Sequence, residues 1–308
     1  MNVRKKNLLD AIDFNRIKTK PESCNVLGKN QNYINLIENQ KKDVFSEDLY
    51  NSEYSVEIYK NFLKWLFETF NISEKKFRED WIKYLDLKTG QKVLITSCGL
   101  GDDINSCIKL VGKDGMVHAQ DLSSKFIEYC SDCFNDDNIV FSVSDALDLP
   151  YRDNYFDAVC HFGGINLFGD IRTAIQEMTR VCKVNGKILF GDESVAPHLR
   201  ENKYGKMFIK NNKLWGEHLP LKHLPENSID INIRYILGNC FYLIGFIKNS
   251  GLPKVNIDIE HVGHRGGSVR TRYFGELEGV NPELRKKIYD KAKQNKTSVS
   301  KMLENFLK

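Results

Sequence analysis

The sequence predicts an α/β protein: a doubly wound, mostly parallel sheet with a helical N-terminal cap and a helical C-terminal tail. Three observations predict it. Short apolar runs of strand length alternate with helix-period segments between residues 92 and 191, and such runs mark strands buried on both faces of a parallel sheet. Glycine or aspartate follows several of these runs, where a strand must turn into a helix. The chain has 308 residues, 41% hydrophobic and 28% charged, enough to bury a sizeable core and unlike a disordered or collagen-like composition.

The elements follow in order. Residues 1–48 are polar, rich in Lys and Asn and poorly periodic, the composition of a loose arm. Residues 55–70 place Val56, Tyr59, Phe62, Leu63, Leu66 and Phe67 near helical spacing, which predicts an amphipathic helix. Ser73 opens Ser-Glu-Lys-Lys and predicts the N-cap of a second helix through Tyr84. Lys92–Thr96 predicts the first buried strand, followed by Gly99, Gly101 and a helix over Asp102–Leu110 that ends before Gly115. Met116–Gln120 is the next strand, and Ser123 can cap a helix over Lys125–Phe134. Ile139–Val143 and Phe156–Phe162 are further strands. A helix over Ile171–Cys182 carries Ile171, Ala174, Ile175, Met178 and Val181 on one face, and the turn Asn185-Gly186 leads into a strand at Lys187–Gly191.

Residues 194–230, with Pro197, Pro220 and Pro225, break this rhythm and read as an insertion. Beyond them Cys240–Asn249 reads as a helix ended by Gly251 and Pro253. Residues 255–262 and 268–277, on either side of Gly266-Gly267, read as a β-hairpin. Pro282–Asn295 and Ser298–Leu307 read as two short helices. The expected organisation is an arm and helical cap over 1–84, a central domain over 85–279 carrying the insertion, and a helical tail over 280–308.

Charge narrows the partners. Lys plus Arg is 45 and Asp plus Glu is 41, a net of +4 that is too small to imply a polyanion. The excess lies in residues 281–308, with eight Lys/Arg against three Asp/Glu, usually a solvated helix face. The same tail allows contact between two copies, a homodimer. The cysteines at 24, 98, 107, 130, 133, 160, 182 and 240 are scattered through a long chain, which reads as reduced thiols rather than a disulfide framework. Cys130 and Cys133 have CxxC spacing but no second pair or nearby His cluster, so no metal site is expected. No run approaches a membrane span, and the basic start Met1–Lys20 lacks an apolar targeting core. The expected setting is the cytoplasm, with neither membrane nor nucleic acid as partner.

The chemistry-bearing constellation lies at three strand ends. Strand 92–96 runs into Ser97-Cys98-Gly99-Leu100-Gly101 and then a helix. Glycines there admit a ligand to the backbone, and the helix start offers free N–H groups. Asp121 ends the next strand, 20 residues after Gly101, where a carboxylate can accept ribose hydroxyls. Asp145 ends the third. A dinucleotide fingerprint needs a further glycine where Ile104 stands, and no triphosphate loop is present. An adenosine ligand without phosphates fits best.

At these residues the sequence resembles the class I S-adenosylmethionine-dependent methyltransferases of the small-molecule type, which include quinone-ring C-methyltransferases. The resemblance covers about residues 85–192. It rests on Val93–Gly101, on Val117–Ser123, on Ser144–Pro150 followed by Asp153–Asp157, and on Glu177 with Arg180–Lys187. It implies a seven-stranded Rossmann-like methyltransferase fold, with the hairpin at 255–277 as its antiparallel end, and S-adenosyl-L-methionine as cofactor. It further implies that Ser97, Gly99 and Gly101 meet the methionine part and that Asp121, with Leu122 beside it, holds the ribose. Asp145 and Ala146 would meet the adenine, and His161 would face the reacting centre. Two positions depart from the family: Ile95 stands where an acidic residue usually helps hold the methionine amino group, and Ser97 where a glycine is usual. Asp102 and Asp103 are the carboxylates available to substitute for the first.

The implied reaction is methyl transfer to an N, O, S or activated C atom of a small-molecule acceptor. Positioning supplies much of the rate, and a base is needed only if the nucleophile carries a proton at attack. His161 and Glu193 are the expected catalytic residues, with Asp192 beside them. Tyr50, Asn51 and Tyr54 of the arm, with Tyr204, Trp215, His218 and His223 of the insertion, are candidates to cover a flat or cationic acceptor; of these Tyr50, Tyr54, Tyr204, Trp215 and His218 are the expected substrate-binding residues. His261, His264, Arg265, Arg270 and Arg272 form a basic stretch that reads as an exposed turn. Three other functions use some of the same residues. A nucleic-acid methyltransferase would want an Asn/Asp-Pro-Pro-Tyr type of motif where Cys160-His161-Phe162-Gly163 stands. A non-catalytic adenosine-binding protein would keep Asp121. An NAD-dependent oxidoreductase is weakened by Ile104.

Overall fold

The computed structural model describes residues 3–17, 33–36, 50, 52–262, 267–275, 277 and 280–307. Cys24, Asn51, His264, Arg265 and Gly266 lie outside them. The chain divides into two compact units, Met1–Leu252 and Pro253–Lys308.

The first unit opens with helix α1 (Val3–Ala11), strand β1 (Tyr33–Asn35) and helices α2 (Ser55–Thr69) and α3 (Glu74–Ile82). There follow β2 (Lys92–Thr96), α4 (Ile104–Val111), β3 (Met116–Asp121), α5 (Ser124–Cys133), β4 (Ile139–Val143), β5 (Phe156–Phe162), α6 (Ile171–Val181) and β6 (Cys182–Glu193). Helix α7 (Lys203–Asn211) precedes β7 (Ser228–Ile236) and β8 (Phe241–Lys248). The strands form one mixed sheet in the order β1-β4-β3-β2-β5-β6-β8-β7. Pairing is parallel from β1 to β6; β8 is antiparallel to both β6 and β7.

Side chains alternate between two cores, as the period of a strand requires. Val93, Ile95, Ala158 and Cys160 join Leu63, Leu66 and Trp81 on one face. Leu94 and Val159 join Ile175, Met178 and Val181 of α6 on the other. The predicted caps form: Ser73 accepts from the Lys76 amide and Ser123 from the Phe126 amide.

Several expectations change. The sheet has eight strands rather than seven, because Tyr33–Asn35 adds a parallel edge strand to β4. Among its described residues the arm holds regular elements: besides β1 it has α1, and Ile12 bridges to Tyr151. Cys240–Asn249, expected as a helix, contains strand β8. A short continuous apolar run is ambiguous by periodicity alone, and pairing on both edges decides it. The hairpin that ends the sheet is β7–β8, not 255–277. Its turn, Leu237-Gly238-Asn239, takes φ of +46°, +62° and +62°, and Ile229, Ile231, Ile233 and Tyr235 supply the alternation. The insertion thus gives way to the sheet at Ser228.

The second unit holds helices α8 (Val269–Phe274), α9 (Pro282–Gln294) and α10 (Val299–Leu307). Its core is Leu277, Ala292, Val299 and Met302. Where residues 268–274 were expected as strand, Ser268 and Thr271 form a reciprocal capping box that starts α8. Both tail helices occur as predicted.

Candidate cofactor and acceptor site

Strands β2, β3 and β4 end side by side, and the loop leaving β2 is fastened to the end of β3. Three consecutive loop amides are received there. The Ser97 N–H donates to Gln120 Oε1 at 3.2 Å, that of Cys98 to the Gln120 carbonyl at 2.9 Å, and that of Gly99 to Asp121 Oδ2 at 2.9 Å. Gln120 Nε2 donates onward to the Ser144 carbonyl. The Ser144 amide donates to the Asp121 carbonyl at 3.0 Å. Residues 120 and 121 therefore tie both flanking loops together.

Backbone conformation explains the loop composition. Ser97, Gly99 and Gly101 have φ of +48°, +57° and +80°, the left-handed region that favours glycine. A Cβ at 99 would lie 3.1 Å from Tyr59 Oη, so the Tyr59 ring of α2 uses the space that glycine leaves. A Cβ at 101 would press on Ile104 and Phe134 at 2.9 Å, which makes that glycine a packing requirement.

Asp121 also accepts from the Ser123 amide, at 2.9 Å. Burial pushes its carboxyl up to about 6 against these backbone bonds, which favour the ionised form. Leu122 beside it is 46% exposed. Asp145 is half-buried, and its Oδ1 accepts from the Leu147 amide at 2.8 Å; Ala146 is buried. Ile95 is buried in the core. Of its possible substitutes, Asp103 is committed: it accepts from Trp81 Nε1 at 2.8 Å and pairs with Arg78 at 3.2 Å. Asp102 lies 3.7 Å from Arg78 and is more exposed.

Tyr50 sits at the same edge, its carbonyl accepting from Ser123 Oγ at 2.6 Å and its ring edge-on to Phe126. Burial and the carboxylates of Asp121, Glu193 and Asp192 push its hydroxyl up. Asp192 accepts from the amides of Asn166 and Glu193 at 2.7 and 2.8 Å. Burial, and then the adjacent Asp192, push Glu193 up to about 10, so it is a neutral acid near pH 7. His161 is fully buried on the α6 face of the sheet. Its Nδ1 lies 3.2 Å from Thr96 Oγ1, and its Nε2 has no hydrogen-bond partner among the described residues. Burial lowers it to about 4, so the imidazole is neutral.

The cover residues separate. Trp215 is buried among Trp65, Phe70, Phe208 and Phe241. Tyr204 donates to the Gly238 carbonyl at 3.0 Å and touches Phe208. Tyr54 is 69% exposed. His218 is exposed, its Nδ1 3.2 Å from Arg200 Nη1. His223 lines a separate cleft of about 500 Å³ with Arg172 and Glu226, which shares no residue with the site above. Sequence reasoning missed Gln120, Tyr59 and Arg78. A lone amide inside an apolar strand was the available signal for the first.

The chain is similar to known proteins over the region that carries these strands. Residues 95–190 match a family model described as a methyltransferase domain. A ubiquinone/menaquinone biosynthesis C-methyltransferase of Neisseria meningitidis is 38% identical over 105 residues, 33% of this chain and 43% of the relative. A demethylmenaquinone methyltransferase of Bacillus mycoides is 30% identical over 118 residues, 37% of this chain and 50% of the relative. The chain spans about half the length of the curated relatives it matches. A solved structure of Haemonchus contortus phosphoethanolamine N-methyltransferase 2 in complex with S-adenosyl-L-methionine aligns with a TM-score of 0.53 at 15% identity. That alignment covers 67% of this chain and 60% of the other, and it speaks to the fold. Residues 95–190 of this chain are thus similar in sequence to a methyltransferase domain, and the sheet they form is shared with that solved methyltransferase.

Proposed function

We propose that this protein transfers the methyl group of S-adenosylmethionine to a small-molecule acceptor, and that the acceptor is an activated ring carbon of a reduced quinone. The observation that carries the reading is Asp121, a buried strand-end carboxylate oriented by the amides of Gly99 and Ser123, between the left-handed loop and Asp145. The names of the relatives, which include ubiquinone/menaquinone biosynthesis, support the acceptor class.

The residues fit the cofactor. Asp121 has lone pairs beyond its two backbone bonds for the ribose hydroxyls. Asp145 has an oxygen beyond its turn bond for the adenine amino group, with buried Ala146 beside the ring. Ser97, Gly99 and Gly101 line the methionine side, where Asp102 is the freer carboxylate. When bound, S-adenosylmethionine supplies a methyl group on a sulfonium, so positioning accounts for much of the catalysis. Tyr50 and Trp215 bound the acceptor side, and Tyr54, Tyr204 and His218 stand further out.

Two groups of the chain would handle protons. Neutral Glu193 donates a hydrogen bond to a ring oxygen of the acceptor. His161, neutral and with Nε2 unpartnered, accepts the proton displaced from the ring carbon after the new carbon–carbon bond forms. The proposed setting is the cytoplasm, in keeping with free thiols at the described cysteines; among the described residues no helix is long and apolar enough to cross a membrane. A homodimer through the tail belongs to the same proposal, with exposed Val269, Tyr273 and Phe274 as its contact, and sedimentation velocity tests it.

Calorimetry tests the cofactor: S-adenosylhomocysteine should bind while NADH does not, and the reverse would sink the reading. Methyl transfer from labelled cofactor to a panel of reduced naphthoquinones and benzoquinones tests the acceptor; label on none of them, with cofactor bound, removes that class.

A further inference from the structure

Resting on the cofactor reading above, we propose that Gln120 is a positioning residue that replaces a glycine's conformational freedom at position 97. Ser97 has a side chain yet holds φ of +48°, a conformation that disfavours any residue with a Cβ. Something must hold it there. Gln120 is fully buried in β3, and both ends of its side chain are used: Oε1 accepts the Ser97 amide, and Nε2 donates to the Ser144 carbonyl. Its own carbonyl takes the next amide, Cys98. One residue thus fixes the first turn of the loop on the methionine side and joins it to the loop carrying Asp145 on the adenine side.

An apolar residue would suit this buried strand position better on packing grounds, since a buried amide costs free energy unless every polar atom is bonded. Gln120 is tolerated because each polar atom has a partner, and those partners are backbone groups of the two cofactor loops. The pair has a consequence for affinity. Loosening Gln120 should weaken the hold on the homocysteine part more than that on adenosine, because Asp121 and Asp145 keep backbone bonds of their own, to the amides of Ser123 and Leu147.

The test is a cycle on cofactor affinity, by calorimetry with S-adenosylhomocysteine and with adenosine. Gln120→Met keeps the length and removes both side-chain bonds. It should weaken S-adenosylhomocysteine about tenfold or more and adenosine by at most about threefold. In a Ser97→Gly background, measured against Ser97→Gly alone, the same substitution should cost at most about threefold, because glycine holds the turn unaided. Affinity within about twofold of wild type in Gln120→Met overturns the proposal. So does an equal loss for both ligands that is the same in the Ser97→Gly background, the pattern of general destabilisation. If Gln120→Met fails to fold, Gln120→Thr serves: its hydroxyl is too short to replace either side-chain bond, to the Ser97 amide or to the Ser144 carbonyl, and S-adenosylhomocysteine affinity within about twofold of wild type there is equally fatal. Wild-type protein that binds no S-adenosylhomocysteine overturns the cofactor reading itself; wild-type binding that survives the substitutions overturns only the pair.

Discussion

Asp121 Oδ2 accepts the amide of Gly99 at 2.9 Å across the gap between two neighbouring parallel strands. The carboxylate proposed to hold the ribose is thereby also a brace for the loop on the methionine side. Asp121→Asn should keep the fold and lower S-adenosylhomocysteine affinity by about tenfold to a hundredfold, as expected for a lost charge-assisted acceptor. Calorimetry at neutral pH measures it, and unchanged affinity removes Asp121 from the site.

The same residue predicts two opposed pH trends. Its carboxyl is raised from 3.8 to about 6, so the native state holds this proton more tightly than the unfolded chain. Between about pH 6 and pH 4 its contribution to stability should rise as pH falls, by roughly 2–3 kcal/mol at most. Cofactor affinity should move the other way, falling below about pH 6 as an acceptor becomes protonated. Urea melts and calorimetry of wild type against Asp121→Asn isolate both trends; parallel slopes would contradict the assignment.

Glu193 should be a neutral acid at about pH 8, since burial and Asp192 raise it to about 10. A protonated-carboxyl band should appear in the infrared difference spectrum of wild type minus Glu193→Gln. Its absence means that Glu193 is ionised and cannot donate to an acceptor oxygen.

His161→Ala should lower turnover about a hundredfold, the usual worth of a positioned acid or base, and leave S-adenosylhomocysteine affinity within about threefold. It should also cost about 1–3 kcal/mol in urea, from the cavity and the lost bond to the Thr96 hydroxyl. Normal turnover with that stability loss would assign His161 to packing alone.

Gly101→Ala should destabilise the protein by about 1–3 kcal/mol, because the new methyl meets Ile104 and Phe134 at a backbone φ of +80°. An unchanged urea midpoint would show that the loop relaxes freely.

The sequence by itself determined the parallel half of the sheet, because apolar runs such as Lys92–Thr96 and Ile139–Val143 have the length and the flanking turn residues of strands covered on both faces. It also determined the order of Gly99, Gly101, Asp121 and Asp145, since strand ends in such a sheet converge on one edge. Phe241–Lys248 was not legible: its period fits helix or strand, and only ladders with β6 and β7 choose between them. Nor was Tyr33–Asn35, too short to signal itself, whose pairing with β4 makes it a strand. Tertiary structure alone decided that Gln120 reaches both Ser97 and Ser144, and that Asp103 is spent on Arg78 and Trp81. Side-chain partners of this kind depend on distances between segments remote along the chain, which local pattern does not encode.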